Sequence, residues 1–271
     1  MDHALTRAAP IRAGLASFAV LRALALPFLR RIDRQITIKH PYTGHPFTLR
    51  SYTHKGYWYY GKTREAATMD RLRRLIRPGD TVIDAGGHIG FVAQFMSDLV
   101  GPDGQVHVFE PGSENVRFLG LNLADSPNAM HIKAALTAEN GRQPFYEENV
   151  GGFMNSFDPS YAQCSEQGQW IAKHLQVTRR TVATMRLDDY TLRHKIVPQF
   201  LKIDVEGSEL DVLKGAMGTV SQIPALMVEV SRNEREVFAL LTALGFHLTH
   251  PDGRTVACPE EMIGNIFAER T

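Results

Sequence analysis

Short apolar runs alternate with amphipathic stretches along most of the chain after residue 65, which is the pattern of strands and helices in turn. The predicted strands are Thr81–Asp84, Gln105–Phe109, His131–Ala135, Phe200–Val205, Ala225–Val230, Phe246–His250 and Asn265–Glu269. The predicted helices are Ala66–Arg77, Phe91–Val100, Ser113–Leu123, Ser208–Val220 and Glu234–Leu244. This alternation predicts an α/β domain over residues 63–271, with a mostly parallel seven-stranded sheet and helices on both faces. We expect the last two strands to close the sheet as a hairpin with an antiparallel edge strand.

Two segments depart from this pattern. Residues 36–62 alternate, are rich in Tyr and Thr, and end in the aromatic run Gly56–Gly61, which predicts a β-hairpin or ribbon as an N-terminal extension. Residues 137–197 form an insertion of about sixty residues, a length that is usually functional in a compact domain. Because the insertion follows the third strand, we expect it above the carboxyl ends of the sheet, as a substrate cap.

Residues 1–35 are apolar and helix-prone but carry Arg12, Arg22, Arg30 and Arg31, which predicts an amphipathic N-terminal helix. Its longest uncharged run, Ala13–Leu21, is too short for a bilayer that needs about 20 apolar residues. Three roles stay open for this helix: a cleaved signal, a peripheral contact with a membrane surface, or packing on its own domain or on a second subunit in a homodimer.

Charge and cysteine content narrow the function classes. The 30 basic and 29 acidic residues leave a net charge of +1, so no electrostatic field favours a nucleic-acid partner. The two cysteines, Cys164 and Cys258, fit neither a disulfide framework nor a metal site. We therefore expect a protein of the reducing cytoplasm, with membrane contact only through the N-terminal helix.

A glycine-rich turn follows the strand that ends in Asp84. The order Gly86, Gly87, His88, Gly90 is not the G-x-G-x-x-G fingerprint that brings backbone against a pyrophosphate. A carboxylate at this place would repel a pyrophosphate and suits a cation, such as the ammonium group of an amino acid. Glycines at such a turn allow a ligand to lie against the backbone.

The next strand ends in Glu110, which lies at the spacing of an acid that accepts hydrogen bonds from ribose hydroxyls. An acid for an ammonium group, glycines for close approach and an acid for a ribose describe S-adenosylmethionine better than NAD. The cofactor-binding residues are thus predicted to be Asp84, Gly86, Gly87, His88, Gly90 and Glu110. His88 has three open roles: contact with the donor's carboxylate, a base, or a turn residue that fills space.

A second acidic strand end provides the candidates for proton transfer. Asp204 and Glu206 follow a strand that we expect beside the first, so either could be the base that accepts the proton of an alcohol. Glu209 is expected to cap the following helix, and Glu229 ends the fifth strand facing the same crevice. Asp204, Glu206 and Glu229 could also hold a divalent cation, but we assign no metal.

The chain resembles the FkbM family of methyltransferases. The resemblance covers roughly residues 60–270. The residues that carry it are Pro78–Gly90, Val108–Pro111, Asn122, Leu187–Asp188, Leu201–Glu209 and Val212–Gly215. It implies a Rossmann-like class I fold and O-methyl transfer from S-adenosylmethionine. Gly87 and His88 depart from the Ala-Asn that is usual in the family's glycine turn.

From the residues and this resemblance we predict O-methylation of a hydroxyl on a sugar, a glycolipid or a secondary metabolite. The expected partner is therefore a small-molecule or glycan acceptor. Two alternatives are an NAD-dependent oxidoreductase of the Rossmann type and a non-catalytic module that only binds the donor. Asp84 and the glycine order argue against the first, and the acids Asp204 and Glu206 argue against the second.

Overall fold

A computed structural model describes residues 31–164 and 174–270. Residues 1–30, which hold most of the predicted N-terminal helix, lie outside this range. The described chain begins with a hairpin of β1 (Gln35–Lys39) and β2 (Pro46–Arg50), followed by α1 (Lys55–Tyr60) and α2 (Ala66–Leu75). Within the described ranges, no helix has both the length and the apolar character needed to cross a membrane.

The remaining elements follow in chain order. The first half of the main domain is β3 (Thr81–Ala85), α3 (Phe91–Val100), β4 (Gln105–Phe109), α4 (Ser113–Asn122) and β5 (Ala129–Ile132). Next come β6 (Ala135–Leu136), β7 (Gly141–Glu148), α5 (Tyr161–Cys164), β8 (Val177–Met185) and α6 (Leu187–His194). The last part is β9 (Phe200–Ile203), α7 (Glu209–Gly215), α8 (Met217–Val220), β10 (Ala225–Val230), α9 (Glu234–Ala243), β11 (His247–Thr249) and β12 (Gly264–Glu269).

Seven strands form the central sheet in the order β11-β12-β10-β9-β3-β4-β5. All neighbours are parallel except β12, which runs antiparallel to both β10 and β11. This confirms the predicted Rossmann-like, mostly parallel seven-stranded sheet. The position of the antiparallel strand differs from the prediction: β12 returns between β10 and β11, so it lies second from the edge.

The sheet order changes direction between β3 and β9, because the chain builds β4 and β5 on one side and β10 on the other. Asp84 on β3 lies in register with Lys202 on β9. The two acidic strand ends identified in the sequence therefore meet at one edge of the sheet. A crevice at such a reversal is where open α/β sheets bind ligands.

Helices cover both faces of the sheet, since successive strand residues point to opposite sides. On β3, Ile83 packs into a core beneath α7 and α9, whereas Val82 packs into a second core beneath α2, α3 and α4. Phe47 and Leu49 of the hairpin are fully buried in this second core. The hairpin thus packs as part of the same layer as the helices on that face.

The aromatic run after the hairpin is a helix, α1, and not the strand that its residue types predicted. Only Tyr57 is buried there, against Phe47 and Phe91, while Trp58, Tyr59 and Tyr60 are exposed. A strand would bury alternate residues, so it would take Tyr59 inside with Tyr57. One helical turn is enough to bury a single residue of this run.

Residues of the predicted insertion build their own small sheet, in which β8 lies between β6 and β7. The long β7–β8 pair is antiparallel and runs from Gly141↔Thr184 to Glu148↔Val177. After β7 the chain passes through Gly151–Phe153 and reaches α5. This part of the chain returns to the carboxyl ends of the central strands and forms one side of the site described next.

Candidate functional site

A cavity of about 360 Å³ opens at the carboxyl ends of β3, β4, β9 and β10. Its volume lies in the range of pockets that take small molecules. Its walls come from the glycine turn, the ends of β4, β9 and β10, the segment between α1 and α2, and the insertion. The insertion contributes the side of the cavity formed by Phe145, Gly152, Phe153, Asn155 and Phe157.

Four of the six predicted cofactor-binding residues line this cavity: Gly86, Gly87, His88 and Glu110. Asp84 and Gly90 do not line it. Both predicted proton acceptors, Asp204 and Glu206, are on the wall, together with Glu229. The structure therefore brings together residues that lie far apart in sequence on the glycine turn and on two strand ends.

Glu110, at the end of β4, is held in a fixed orientation. Its Oε2 accepts the backbone N–H of His88 at 2.9 Å, and its Oε1 accepts the backbone N–H of Gly112 at 2.8 Å and Nδ2 of Asn115 at 3.3 Å. Burial raises the pKa of Glu110 to about 7, although these three hydrogen bonds act in the opposite direction. These three bonds use both lone pairs of Oε1 and one of Oε2, so Oε2 can still accept a hydroxyl donor.

Asp84 is fully buried and paired to Lys202. The Lys202 Nζ lies 3.0 Å from Asp84 Oδ1, 3.2 Å from Asp204 Oδ2 and 3.1 Å from the carbonyl oxygen of Gly86. Asp84 Oδ2 is buried and has no hydrogen-bond partner among the described residues, and the expected contact of this carboxylate with a ligand's ammonium group stays a prediction. Lys202 itself lines the cavity.

Sequence reasoning missed Lys202, although the chain contains a signal for it. Lys202 lies in the middle of the buried strand β9, where its side chain is only 3% exposed. Lysine is almost never fully buried unless it is paired. A lysine inside an apolar strand next to another strand that ends in Asp predicts this ion pair.

Three carboxyl groups cluster beyond Lys202. Asp204 is hydrogen bonded to Glu229, and Glu206 is hydrogen bonded to Tyr161 of α5. Burial raises the pKa of Asp204, but Lys202 and the hydrogen bond from Glu229 outweigh it and hold that pKa below its usual value. Burial and the Asp204 charge raise the pKa of Glu206 to about 8. Asp204 is therefore ionised at neutral pH, whereas Glu206 is largely protonated.

Glu209 stabilises the turn that leads into α7, although its expected role was to cap that helix, where no side-chain cap hydrogen bond is formed. It is buried at the start of α7, and its Oε1 accepts the backbone N–H of Gly207 at 2.9 Å. This bond stabilises a turn in which Glu206 and Gly207 both have positive φ, 53° and 94°. The strained turn sets the direction in which Glu206 enters the cavity.

His88 is a neutral structural residue of the glycine turn. Its Nε2–H donates to the carbonyl oxygen of Gly151 at 2.7 Å, and the Tyr57 hydroxyl donates to its Nδ1 at 2.9 Å. Burial lowers the pKa of His88 to about 3. Both ring nitrogens are engaged in these hydrogen bonds, which favours the turn role among the three expected for His88, and its φ of 48° fits a turn position.

The reason for glycine in the turn is protein packing. A Cβ on Gly86 would lie 1.7 Å from the carbonyl oxygen of Asp204, and a Cβ on Gly90 would lie 2.9 Å from Leu119 Cδ1. The expectation that these glycines also leave room for a ligand stays a prediction. Their φ values of 85° and 91° and these close approaches show that they bring β9 and α4 against the turn.

Two histidines fix the insertion over the turn. His54 Nε2 and His88 Nε2 both donate to the carbonyl oxygen of Gly151, at 3.0 and 2.7 Å. The Phe153 ring packs on His88 with a centroid distance of 4.4 Å. This contact places the insertion against the cavity wall, as the predicted substrate cap requires. None of these residues was singled out from the sequence except His88.

Among residues 31–164 and 174–270, no group of three or more His, Cys, Asp or Glu side chains is arranged to hold a metal ion. The Lys202 ammonium lies beside two of the carboxylates, those of Asp84 and Asp204.

The chain is similar to solved structures that include a methyltransferase FkbM from Methylobacillus flagellatus, with 14% identity and a TM-score of 0.45. The match covers 93% of this chain but only 60% of that chain. Aeropyrum pernix fibrillarin, solved with natively bound S-adenosyl-L-methionine, is 15% identical with a TM-score of 0.44 over 86% of this chain and 88% of its own. No curated protein matches this sequence.

A family model, the methyltransferase FkbM domain, matches residues 84–248, which is more than half of the 271-residue chain. The matched range begins at Asp84 and includes Glu110, the insertion, Asp204 and Glu229. It confirms the resemblance drawn from the sequence, and with it S-adenosylmethionine as the cofactor in preference to NAD. The chain belongs to the FkbM family of methyltransferases.

Proposed function

We propose that the protein transfers the methyl group of S-adenosylmethionine to a hydroxyl oxygen of a small acceptor. Sugars, glycolipids and secondary metabolites are the acceptor classes. The observation that supports this most is the position of Asp204. Its ionised carboxylate is 27% exposed in the same cavity as Glu110, where it can take the proton that a hydroxyl loses on methylation.

The residues present fit the donor. Glu110 would hold the ribose hydroxyls, and the turn from Gly86 to His88 would lie along the amino-acid part. Two further side chains on the wall keep a buried polar atom without a hydrogen-bond partner among the described residues, Arg64 Nε and Asn265 Oδ1. When bound, the donor supplies a methyl group made electrophilic by a sulfonium. Direct contacts of Asp84 and Gly90 with the donor remain predictions.

Positioning accounts for most of what the protein has to do. Fixed orientation of two reactants can contribute about 7–11 kcal/mol, and a general base about 10²–10⁴-fold. Asp204 suits the base better than Glu206, because Asp204 is ionised at neutral pH while Glu206 is largely protonated and accepts a hydrogen bond from the Tyr161 hydroxyl. We therefore assign Asp204 as the base and Glu206 as a neutral group beside it.

The insertion gives the acceptor side a mixed character. Phe145, Phe153 and Phe157 provide apolar ring faces, and the nearby carboxyl groups provide hydrogen-bond acceptors. Apolar faces beside a few fixed polar groups are typical of sites for small hydroxylated molecules. The same segment covers the glycine turn and would keep water away from the reacting atoms.

The experiment uses the full chain, donor with a tritiated methyl group, and fractionated acceptors from cell extract. Transfer of label to an alkali-stable ether in a small-molecule fraction supports the proposal. Asp204→Asn should lose transfer while it keeps donor affinity, and Glu236→Gln on exposed α9 is the matched control. If the donor binds but label reaches no fraction, the protein is the non-catalytic donor-binding module. Label on protein or nucleic acid would assign a different acceptor class.

A further inference from the structure

Asp204 and Glu229 lie side by side on the cavity wall. They belong to the neighbouring parallel strands β9 and β10, where Ile203 pairs with Val228, and the two following side chains are hydrogen bonded to each other. Two carboxylates offer only acceptors, so a hydrogen bond between them requires a proton on one. Two such groups in contact cannot both ionise easily, because their charges repel. The pair therefore holds one proton.

Lys202 decides which member carries the proton. Its ammonium lies 3.2 Å from Asp204 Oδ2 and 3.0 Å from Asp84 Oδ1, and it is almost fully buried. A buried cation in contact with Asp204 stabilises the negative charge there. The Asp204 charge and burial in turn raise the pKa of Glu229. The proton consequently lies on Glu229, which donates it to Asp204.

The surroundings leave too little positive charge to ionise all the acids. The groups that face the pair come from α1, the segment before α2, β3, the glycine turn, β9, the turn into α7 and α7 itself. They are Tyr57, Arg64, Asp84, His88, Lys202, Glu206 and Glu209. His88 and Tyr57 are neutral, since burial lowers the pKa of His88 and raises the pKa of Tyr57. With the pair included, two cations, Lys202 and Arg64, face five carboxyl groups: Asp84, Asp204, Glu206, Glu209 and Glu229. A neutral Glu229 reduces the excess of negative charge.

We propose that Glu229 is the positioning residue of the base: a protonated carboxylic acid that orients Asp204 and shares a proton with it. This rests on the proposed function. When an acceptor hydroxyl gives up its proton, the O–H bond breaks, its electron pair stays on the acceptor oxygen, and the proton bonds to an oxygen of Asp204. The pair then holds two protons and one leaves to solvent. Glu229 thus sets the proton affinity of the base without touching the acceptor.

The test follows the ionisation of Glu229 by carbon-13 NMR of the labelled full chain during a pH titration. In the wild type, Glu229 should remain protonated through neutral pH. In Asp204→Asn, the charge that holds its proton is gone, so the pH of half-ionisation should fall by at least about one pH unit, as for strongly coupled groups. Glu110→Gln, which removes another buried acid of the same cavity, is the matched control and should leave Glu229 unchanged.

Substitution of Glu229 supplies the second measurement. Glu229→Gln keeps a donor toward Asp204, so the Asp204 carboxyl resonance should titrate nearly as in the wild type. Glu229→Leu removes the donor, and the pH of half-ionisation of Asp204 should rise. If Glu229 is ionised at neutral pH in the wild type, or titrates identically in Asp204→Asn, the shared proton is refuted. That result leaves donor binding and label transfer intact, whereas failure of the proposed function would abolish transfer with the NMR titrations unchanged.

Discussion

Glu110 links donor binding to pH in a way that can be worked out from its surroundings. In the free protein burial raises its pKa to about 7. Ribose hydroxyls donate hydrogen bonds, so they favour the ionised carboxylate over the neutral acid. Donor binding should therefore require an ionised Glu110, and a protonated Glu110 must lose its proton before the donor binds.

The direction and size of the pH dependence of donor affinity follow from this linkage. Because the pKa of Glu110 in the folded protein is raised, ionising it removes stability as pH rises through about 7, and the donor recovers part of that loss. Above pH 7 the affinity should be nearly independent of pH. Below it, the affinity should weaken by up to tenfold for each pH unit, about 1.4 kcal/mol.

The substitution is Glu110→Gln. The two oxygens accept backbone N–H groups from His88 and Gly112, so an amide must turn its NH₂ toward one of these donors. Loss of hydrogen bonds to a charged group costs about 1.5–3 kcal/mol. That corresponds to roughly a tenfold to hundredfold weaker affinity at neutral pH.

The assay is calorimetric titration with S-adenosylhomocysteine and, separately, with adenosine, at pH values on both sides of 7. Adenosine keeps the ribose but lacks the charged amino-acid part, so its pH dependence isolates Glu110 from the other acids of the cavity. The wild type should bind both ligands more weakly on the acid side, and Glu110→Gln should bind weakly with a flat profile. Equal pH dependence in both proteins would show that Glu110 does not hold the ribose.

Three further predictions concern the frame around the site. Lys202→Met should lower the free energy of unfolding by about 3–5 kcal/mol in urea titrations, because it leaves buried carboxylates without their cation. Asp84→Asn in the same chain should recover part of this loss, and a double variant without any recovery would contradict the ion pair. Asn122→Ala should lower the free energy of unfolding by about 1–3 kcal/mol, because the Asn122 side chain is hydrogen bonded to the backbone of Thr48 and Ile89 and so connects the hairpin to the glycine turn. An unchanged melting curve would refute this prediction. Deletion of residues 1–30 should leave S-adenosylhomocysteine affinity unchanged, because every described residue that lines the cavity follows residue 56. If the segment contacts a membrane surface, the deletion should also reduce co-sedimentation with anionic vesicles, whereas a truncated chain that loses affinity would assign the segment to the fold.

Alternation of strands and helices was enough to predict the sheet, since β4, α3 and β10 have the predicted boundaries. Local sequence patterns gave wrong predictions where tertiary packing decides the secondary structure. The helix predicted over Ser208–Val220 divides into α7 and α8, and the aromatic run before residue 62 became a helix because only Tyr57 is buried. The sequence also does not show whether the missing side chain of a glycine makes room for a ligand or for another part of the protein, because that depends on how closely β9 approaches the turn.

For the acids of the site, the sequence predicts their positions, but the ion pairs and hydrogen bonds of the folded protein decide their protonation. Their places at the strand ends followed from the sequence, because parallel strands meet at one edge. Their roles did not, because Lys202 neutralises Asp84 and leaves Asp204 ionised, while Glu229 and Glu206 keep their protons. One buried lysine thus separates carboxyl groups of similar intrinsic acidity into an ionised carboxylate, proton-bearing acids and a structural ion pair. A change at Lys202 should therefore alter the titration of Asp84, Asp204 and Glu229 together, whereas a change at any one of these acids should leave Lys202 paired with a remaining carboxylate.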